Sequence, residues 1–286
     1  MRSTTREDSQ LSCVSVIALQ ARISETTPRD LQGIALLTDR VRETLGAEPS
    51  IILGRQGPFG HTPWKEDLEA SRDVLTQAGE RLSEALAGET GPSLTLGTDC
   101  ALAVATLPVV ARLYPQACVL WLDAHCDFDT PSTTTIGFLG CMSLAGACGR
   151  WDTGFGPAMQ EGRVVLCGTR PRPDDFDIAA QRAVEESDVT LVGISEASMI
   201  EEILMTLRGA PVYLHLDPDV LDPAVFPIPY ARPHGLSAAG LQRLLETVAA
   251  HNPVVGVEIT AFHAPDDATR SSWLARFLVD AVVPLL

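Results

Sequence analysis

Positive charge is scarce in this chain: 21 Lys and Arg stand against 37 Asp and Glu, a formal net charge of −16 at pH 7. A surface of that sign repels nucleic acid and anionic lipid, so neither is expected as a partner. Long hydrophobic runs are also missing. The apolar stretch from Cys13 to Leu19 is too brief for a membrane span or for the core of a signal peptide with its cleavage site, and the ten residues before Leu11 are polar. A cytoplasmic protein is expected. Seven cysteines, an odd number with no paired CxxC spacing, exclude a disulfide framework and a paired zinc site, leaving reduced thiols of which one is a candidate ligand. Internal repeats, low-complexity blocks and Gly/Ser linkers are absent too, so residues 1–286 are expected to form one domain.

What is present is apolar content, 45% of 286 residues, enough for a sizeable core. It is distributed as short runs rich in Val, Ile and Leu: Cys13–Leu19, Ser50–Leu53, Ser93–Leu96, Cys118–Leu122, Arg163–Cys167, Val189–Val192, Val212–Leu216 and Val254–Ile259. Such runs read as strands buried on both faces. Between most of them lie stretches of helical periodicity, such as Trp64–Leu86 and Ser237–Ala250. The alternation predicts an α/β fold, three-layer α/β/α around a parallel, roughly eight-stranded sheet. The prolines from Pro223 to Pro233 forbid a regular element and predict a shaped loop.

In open α/β sheets ligands bind beyond the carboxyl ends of the strands, and acidic and metal-competent residues collect there in this sequence. Asp123, His125 and Asp127 follow the fourth run at alternate positions, which an extended segment points to one side. Asp217 and Asp219, then Asp222, follow the seventh run; Gly97-Thr98-Asp99-Cys100 follows the third. Taken singly, an Asp-x-Asp pair is more often a solvated turn and a strand histidine more often a core residue. A buried group of four or five carboxylates is another matter, because each raises the pKa of the next and burial adds to the cost. Divalent cations remove that penalty, and carboxylates with one imidazole suit Mn²⁺ better than a lone structural Zn²⁺.

The segment Asp123-Ala124-His125-Cys126-Asp127 resembles the D-A-H-x-D signature of the arginase-like ureohydrolases. Leu216-Asp217-Pro218-Asp219-Val220-Leu221-Asp222-Pro223 resembles their S-x-D-x-D-x-x-D-P signature, and Gly97 to Cys100 stands where they carry G-G-D-H. The resemblance implies two Mn²⁺ per chain, one bound by Cys100, Asp123, Asp127 and Asp217, the other by Asp123, His125, Asp217 and Asp219. It further implies hydrolysis of a small guanidino substrate, with Glu258 holding the guanidinium. Asp129 and Thr134, in the loop after the D-A-H-x-D segment, are placed to meet the α-amino and α-carboxylate ends of such a substrate.

Three departures bear on the substrate. Cys100 replaces the first ligand histidine, and a thiolate donates more strongly than imidazole, weakening the Lewis acidity of its ion. Gly140 stands where arginases place the histidine thought to shuttle protons, while Ile136 and Phe138 replace two polar contacts to substrate. The arginase R-D-x-D reads Arg170-Pro171-Arg172-Pro173, with Asp174 and Asp175 displaced. A ligand cysteine with a missing shuttle histidine is similar to the branch that cleaves Nω-hydroxy-L-arginine to hydroxyurea and L-ornithine in D-cycloserine biosynthesis. A hydroxyguanidine is less basic than a guanidine and needs less acid–base help.

The mechanism expected from these residues has the two ions share and acidify a water that attacks the guanidino carbon. Asp127 then carries its proton to the departing amine, and Glu258 orients the substrate. His263 reads as a solvated loop histidine and Cys141 as packing. A monomer is expected. The alternatives are another ureohydrolase, acting on arginine, agmatine or a guanidino acid, and a catalytically silent scaffold that binds no metal.

Overall fold

The computed structural model describes residues 14–88, 91–156, 158–170, 177–195 and 198–286. Its centre is a parallel sheet of eight strands: β1 (Ser15–Gln20), β2 (Ser50–Leu53), β3 (Ser93–Leu96), β4 (Cys118–Leu122), β5 (Val164–Cys167), β6 (Thr190–Val192), β7 (Val212–Leu216) and β8 (Val254–Ile259). Their order across the sheet is β2-β1-β3-β8-β7-β4-β5-β6. Every predicted run therefore became a strand, with ends shifted by no more than two residues; Cys13, at the head of the first run, lies outside the described residues.

The apolar runs are continuous because both faces are covered. Along β4, Cys118, Leu120 and Leu122 enter one core while Val119 and Trp121 enter the other, as a period of two requires. The first core is closed by α1 (Arg29–Leu45), α6 (Met199–Leu207), α7 (Ala238–His251) and α8 (Ala268–Val282). The second is closed by α2 (Trp64–Ala87), α3 (Ala103–Leu113), α4 (Ser143–Ala147) and α5 (Ile178–Glu185). Helix α2 forms because Leu68, Leu75, Ala78, Leu82 and Leu86 recur at helical spacing and fall on one buried face. Ser237 opens α7 by accepting a 3.0 Å hydrogen bond from the Gly240 N–H, a cap that contributes about 1 kcal/mol.

Strands β4 and β7 pair directly, and β8 lies between β7 and β3, so the carboxyl ends of four neighbouring strands open on one side. The Pro-rich loop crosses that side, placing Ile228, Pro229 and Tyr230 on the wall of a cavity of about 550 Å³, room enough for an amino-acid-sized ligand.

Candidate metal centre

Each acidic segment leaves its strand at the sheet's carboxyl edge and is fixed there by backbone groups. The Asp217 carboxylate accepts from the Asp219 N–H at 2.8 Å, and Asp219 accepts from the Ala124 N–H at 2.9 Å, tying the β7 segment to the β4 segment. Asp123 accepts from the His125 N–H at 2.7 Å and from the Trp121 indole at 3.1 Å. Asp127 turns the chain with φ of 47°, a left-handed conformation that costs a non-glycine residue of order 1 kcal/mol. Its carbonyl receives the Leu144 and Ala145 N–H groups, and its carboxylate receives the Ser143 hydroxyl at 3.1 Å. Gly168, with φ of 114°, lies so close to the Asp123 carbonyl that a Cβ there would approach to 2.6 Å, so the β5 end must be bare for the β4 segment to seat.

The side chains converge. His125 Nδ1 is 2.8 Å from Asp219 Oδ2 and 3.5 Å from Asp123 Oδ1. The Cys100 thiol donates to Asp217 Oδ2 at 3.2 Å and lies 4.0 Å from Asp123 Oδ2. Asp123, His125 and Asp219 offer donor atoms all within 4.8 Å of one another, and so do Cys100, Asp123 and His215. Asp123 belongs to both groups. Cys100, Asp123, His125, Asp127, Asp217 and Asp219, expected from the sequence as the ligand set, all line the one cavity.

Without a cation this arrangement is electrostatically loaded. Burial raises the Asp217 carboxyl well above the usual carboxylate range, and Asp219 and Asp123 push it further. Burial and then Asp123 raise Asp127 well above that range; burial and then Asp219 raise Asp123. Burial lifts the Cys100 thiol, with Asp217 adding to it. His125 is the counterweight: burial pulls its imidazole down, but Asp219 and Asp123 outweigh that and hold it well above its ordinary value. Burial raises Asp219, yet His125 wins and leaves it lowered. Hard oxygen donors, two imidazoles and one thiol gathered at these distances fit divalent ions, which would displace the shared protons and neutralise the cluster. Adding Mn²⁺ at a free concentration a thousand times its dissociation constant is expected to stabilise the fold by about 4 kcal/mol. For a chain of this length that raises Tm by roughly 7 °C in differential scanning calorimetry. A Tm indifferent to Mn²⁺ and to chelator counts against the site.

Three predicted residues are placed elsewhere. Glu258, expected to hold the guanidinium, is fully buried within β8 and does not reach the cavity. It lies one residue before the end of the strand, on the face that carries Tyr213 and His215, while Val257 and Ile259 face the opposite core. There it is bound by the Thr106 hydroxyl at 2.8 Å, the Tyr213 hydroxyl at 3.1 Å and His215 Nδ1 at 2.7 Å. Asp129 is buried but engaged by the Thr133 hydroxyl at 3.1 Å, and the Thr134 hydroxyl accepts from the Gly137 N–H at 3.0 Å. Neither lines the cavity, because residues Thr130 to Thr133 fold into a local turn that consumes these groups. Pro171 to Asp175 lie outside the described residues.

The structure also brings in residues to which the sequence pattern assigned no role. His215 stacks on Trp121 with ring centroids 3.4 Å apart, and through that indole it backs Asp123. His263 is on the cavity wall, 3.4 Å from Asp30, rather than solvated. Glu25, between β1 and α1, and Asp30, in the first turn of α1, line the wall as well. Glu25 follows a strand end like the other acids, and that position was the available signal. At Gly140 a Cβ would meet the Phe138 ring at 2.7 Å and Asp99 Oδ1 at 3.0 Å, so no larger side chain fits beside Phe138 as it stands.

Comparison with known proteins agrees with this geometry. Residues 57–283 match the model of the arginase family. The chain belongs to the arginase family. It is 32% identical over 271 residues to the N(omega)-hydroxy-L-arginine amidinohydrolase of Streptomyces lavendulae, covering 95% of this chain and 96% of that protein. An arginase of Glaciozyma antarctica is 29% identical over 58% of this chain and 53% of its own. Among solved structures, the arginase of Bacillus subtilis superposes with a TM-score of 0.82 at 22% identity, covering 96% of this chain and 98% of that one, a likeness of fold. The protein is thus an arginase-family amidinohydrolase with an eight-stranded parallel sheet. Among the described residues no helix is long and apolar enough to cross a membrane.

Proposed function

We propose that this amidinohydrolase cleaves Nω-hydroxy-L-arginine to hydroxyurea and L-ornithine, with two Mn²⁺ held by Cys100, Asp123, His125, Asp127, Asp217 and Asp219. The observation that carries the reading is a pair of changes within one cavity. A thiol, Cys100, stands among the ligands, and the Phe138 ring closes the space beside Gly140 where arginases place a histidine. Both changes weaken acid–base and Lewis-acid help, which a less basic hydroxyguanidine tolerates and a guanidinium does not. The identity to the Streptomyces lavendulae enzyme, spread over nearly the whole chain, supports the same substrate. A guanidino amino acid is the partner this reading requires, with the chain acting as a cytoplasmic monomer.

When bound, the ions supply Lewis acidity and bring the pKa of a water towards neutrality. The chain supplies the rest. Asp127, whose carboxylate is fixed by the Ser143 hydroxyl, accepts a proton from the attacking water and passes it to the δ-nitrogen of the leaving ornithine. Ile136, Phe138 and Ile228 line the same cavity and limit the water that competes for that proton. The absence of Lys and Arg from the described cavity wall leaves an electronegative chamber suited to a cationic amino acid.

The decisive experiment is hydrolysis of Nω-hydroxy-L-arginine and L-arginine side by side after Mn²⁺ loading, followed by ornithine release. A strong preference for the hydroxylated compound is expected; comparable rates on both would defeat the substrate assignment and leave the metal assignment intact. Cys100→Ala is expected to weaken Mn²⁺ binding by at least about tenfold, measured as metal retained after dialysis. Full retention with an unchanged rate would make the thiol a bystander.

A further inference from the structure

One carboxylate on the cavity wall has an oxygen that nothing in the fold engages. Glu25 is 4% exposed, and its two oxygens are treated differently. Oε2 accepts from the Ile23 and Ser24 N–H groups at 3.0 and 3.1 Å, which fixes the direction of the side chain. Oε1 is buried and has no hydrogen-bond partner. A buried oxygen left without a donor costs a carboxylate on the order of 1–3 kcal/mol, so native structures keep such a group where something else completes it.

The segment that carries Glu25 is built rigidly. Arg22, 1% exposed, donates from Nε to the Glu25 carbonyl at 2.9 Å and pairs through Nη1 with Asp67 at 2.9 Å. Ser24 donates to Asp99 Oδ2 at 2.6 Å, and Asp99 precedes Cys100. Glu25 is thereby tied to the segment that carries the Cys100 thiol. The other carboxylates on the wall are committed: Asp99 to Ser24 and the Ala101 N–H, Asp30 to His263, and the remaining ones to the metal cluster.

We propose that Glu25 Oε1 receives the N–H groups of the substrate's guanidino or hydroxyguanidino function, the task for which Glu258 is out of reach. The inference rests on the guanidino reading of the cavity but not on which guanidino acid is cleaved. Recognition of this kind matches donor to acceptor: in its protonated form the substrate end presents N–H donors, and Oε1 of the ionised carboxylate is an acceptor that no donor of the fold engages. Burial, with Asp99 adding to it, raises the free carboxyl to about 8, so an arriving cation also restores its ionised form.

The test is Glu25→Gln, which keeps one oxygen for the Ile23 and Ser24 N–H groups and turns the free position into a donor. Loss of a charge-assisted hydrogen bond predicts a fall in kcat/KM for Nω-hydroxy-L-arginine of on the order of 100-fold, with bound Mn²⁺ and Tm unchanged. A wild-type kcat/KM in the variant overturns the assignment to Glu25 without touching the substrate reading. Should wild type itself not turn that compound over, calorimetric titration with L-arginine and L-ornithine probes the same contact. Wild type is expected to favour the guanidino compound and Glu25→Gln to lose that preference; an equal preference in both overturns the proposal. A crystal structure of the Mn²⁺-loaded wild-type enzyme with L-arginine covers the case in which the variant does not fold. Guanidino nitrogens within hydrogen-bond reach of Oε1 support the assignment, and any other placement refutes it.

Discussion

Asp217→Asn is expected to move activity and stability in opposite directions. The carboxylate faces the Cys100 thiol at 3.2 Å and is one of two groups to which both ions are assigned. Removing its charge is expected to lower turnover by on the order of a thousandfold or more, the scale at which machinery acting as a unit fails. The metal-free fold should respond the other way. Burial raises Asp217, and Asp219 and Asp123 add to the rise. A carboxyl whose folded pKa lies above its unfolded value holds more protons folded than unfolded, so it destabilises the fold increasingly as pH rises between the two values. At neutral pH an amide removes that burden and still accepts from the Asp219 N–H, now 2.8 Å away. The chelated variant is therefore expected to melt above chelated wild type and to gain little Tm from Mn²⁺. A variant that melts lower without metal, or still gains the full increment with it, would show that the cluster is not what limits the metal-free state.

The same physics decides how much could be read from the residues. The eight strands were legible because each is buried on both faces, so burial appears in the sequence as an unbroken apolar run such as Cys118–Leu122. That the acidic residues gather was legible because carboxylates follow three such runs, and the six expected ligands do line one cavity; a cation is the simplest relief for that many buried charges. Side-chain direction was not legible. Glu258 lies near the end of an apolar run just as Asp217 does, yet it falls inside the strand and points among Tyr213, His215 and Thr106. The segment from Ala21 to Pro28 takes its fixed shape from the Arg22–Asp67 pair 45 positions apart, and beyond its place after the first run nothing in the sequence marks Glu25. Thr134 and Asp129 were assigned by position along a loop whose local turn uses both side chains. Elements set by local pattern were readable; contacts set by long-range polar pairing were not.

Glu258 separates a structural role from a substrate-binding one most sharply, because each assigns its loss to a different observable. Three buried donors, from Thr106, Tyr213 and His215, converge on its carboxylate at 2.8, 3.1 and 2.7 Å. Glu258→Ala leaves them facing a cavity between β8 and α3, and each unsatisfied polar group costs on the order of 1–3 kcal/mol. A loss of roughly 4 kcal/mol is expected in urea unfolding of the metal-free protein, among the larger effects a single substitution produces. Glu258→Gln keeps an acceptor for the hydroxyls and an amide for His215, so a loss of about 1 kcal/mol is expected instead. His215 stacks on Trp121, whose indole donates to Asp123, so even the milder variant is expected to weaken Mn²⁺ binding by about tenfold. At saturating Mn²⁺, however, its KM should stay within about threefold of wild type, because Glu258 has no path to the cavity; a carboxylate gripping the guanidinium would instead show a KM increase on the order of 100-fold. That larger increase, with stability intact, would return Glu258 to the substrate and displace Glu25 from the guanidino group.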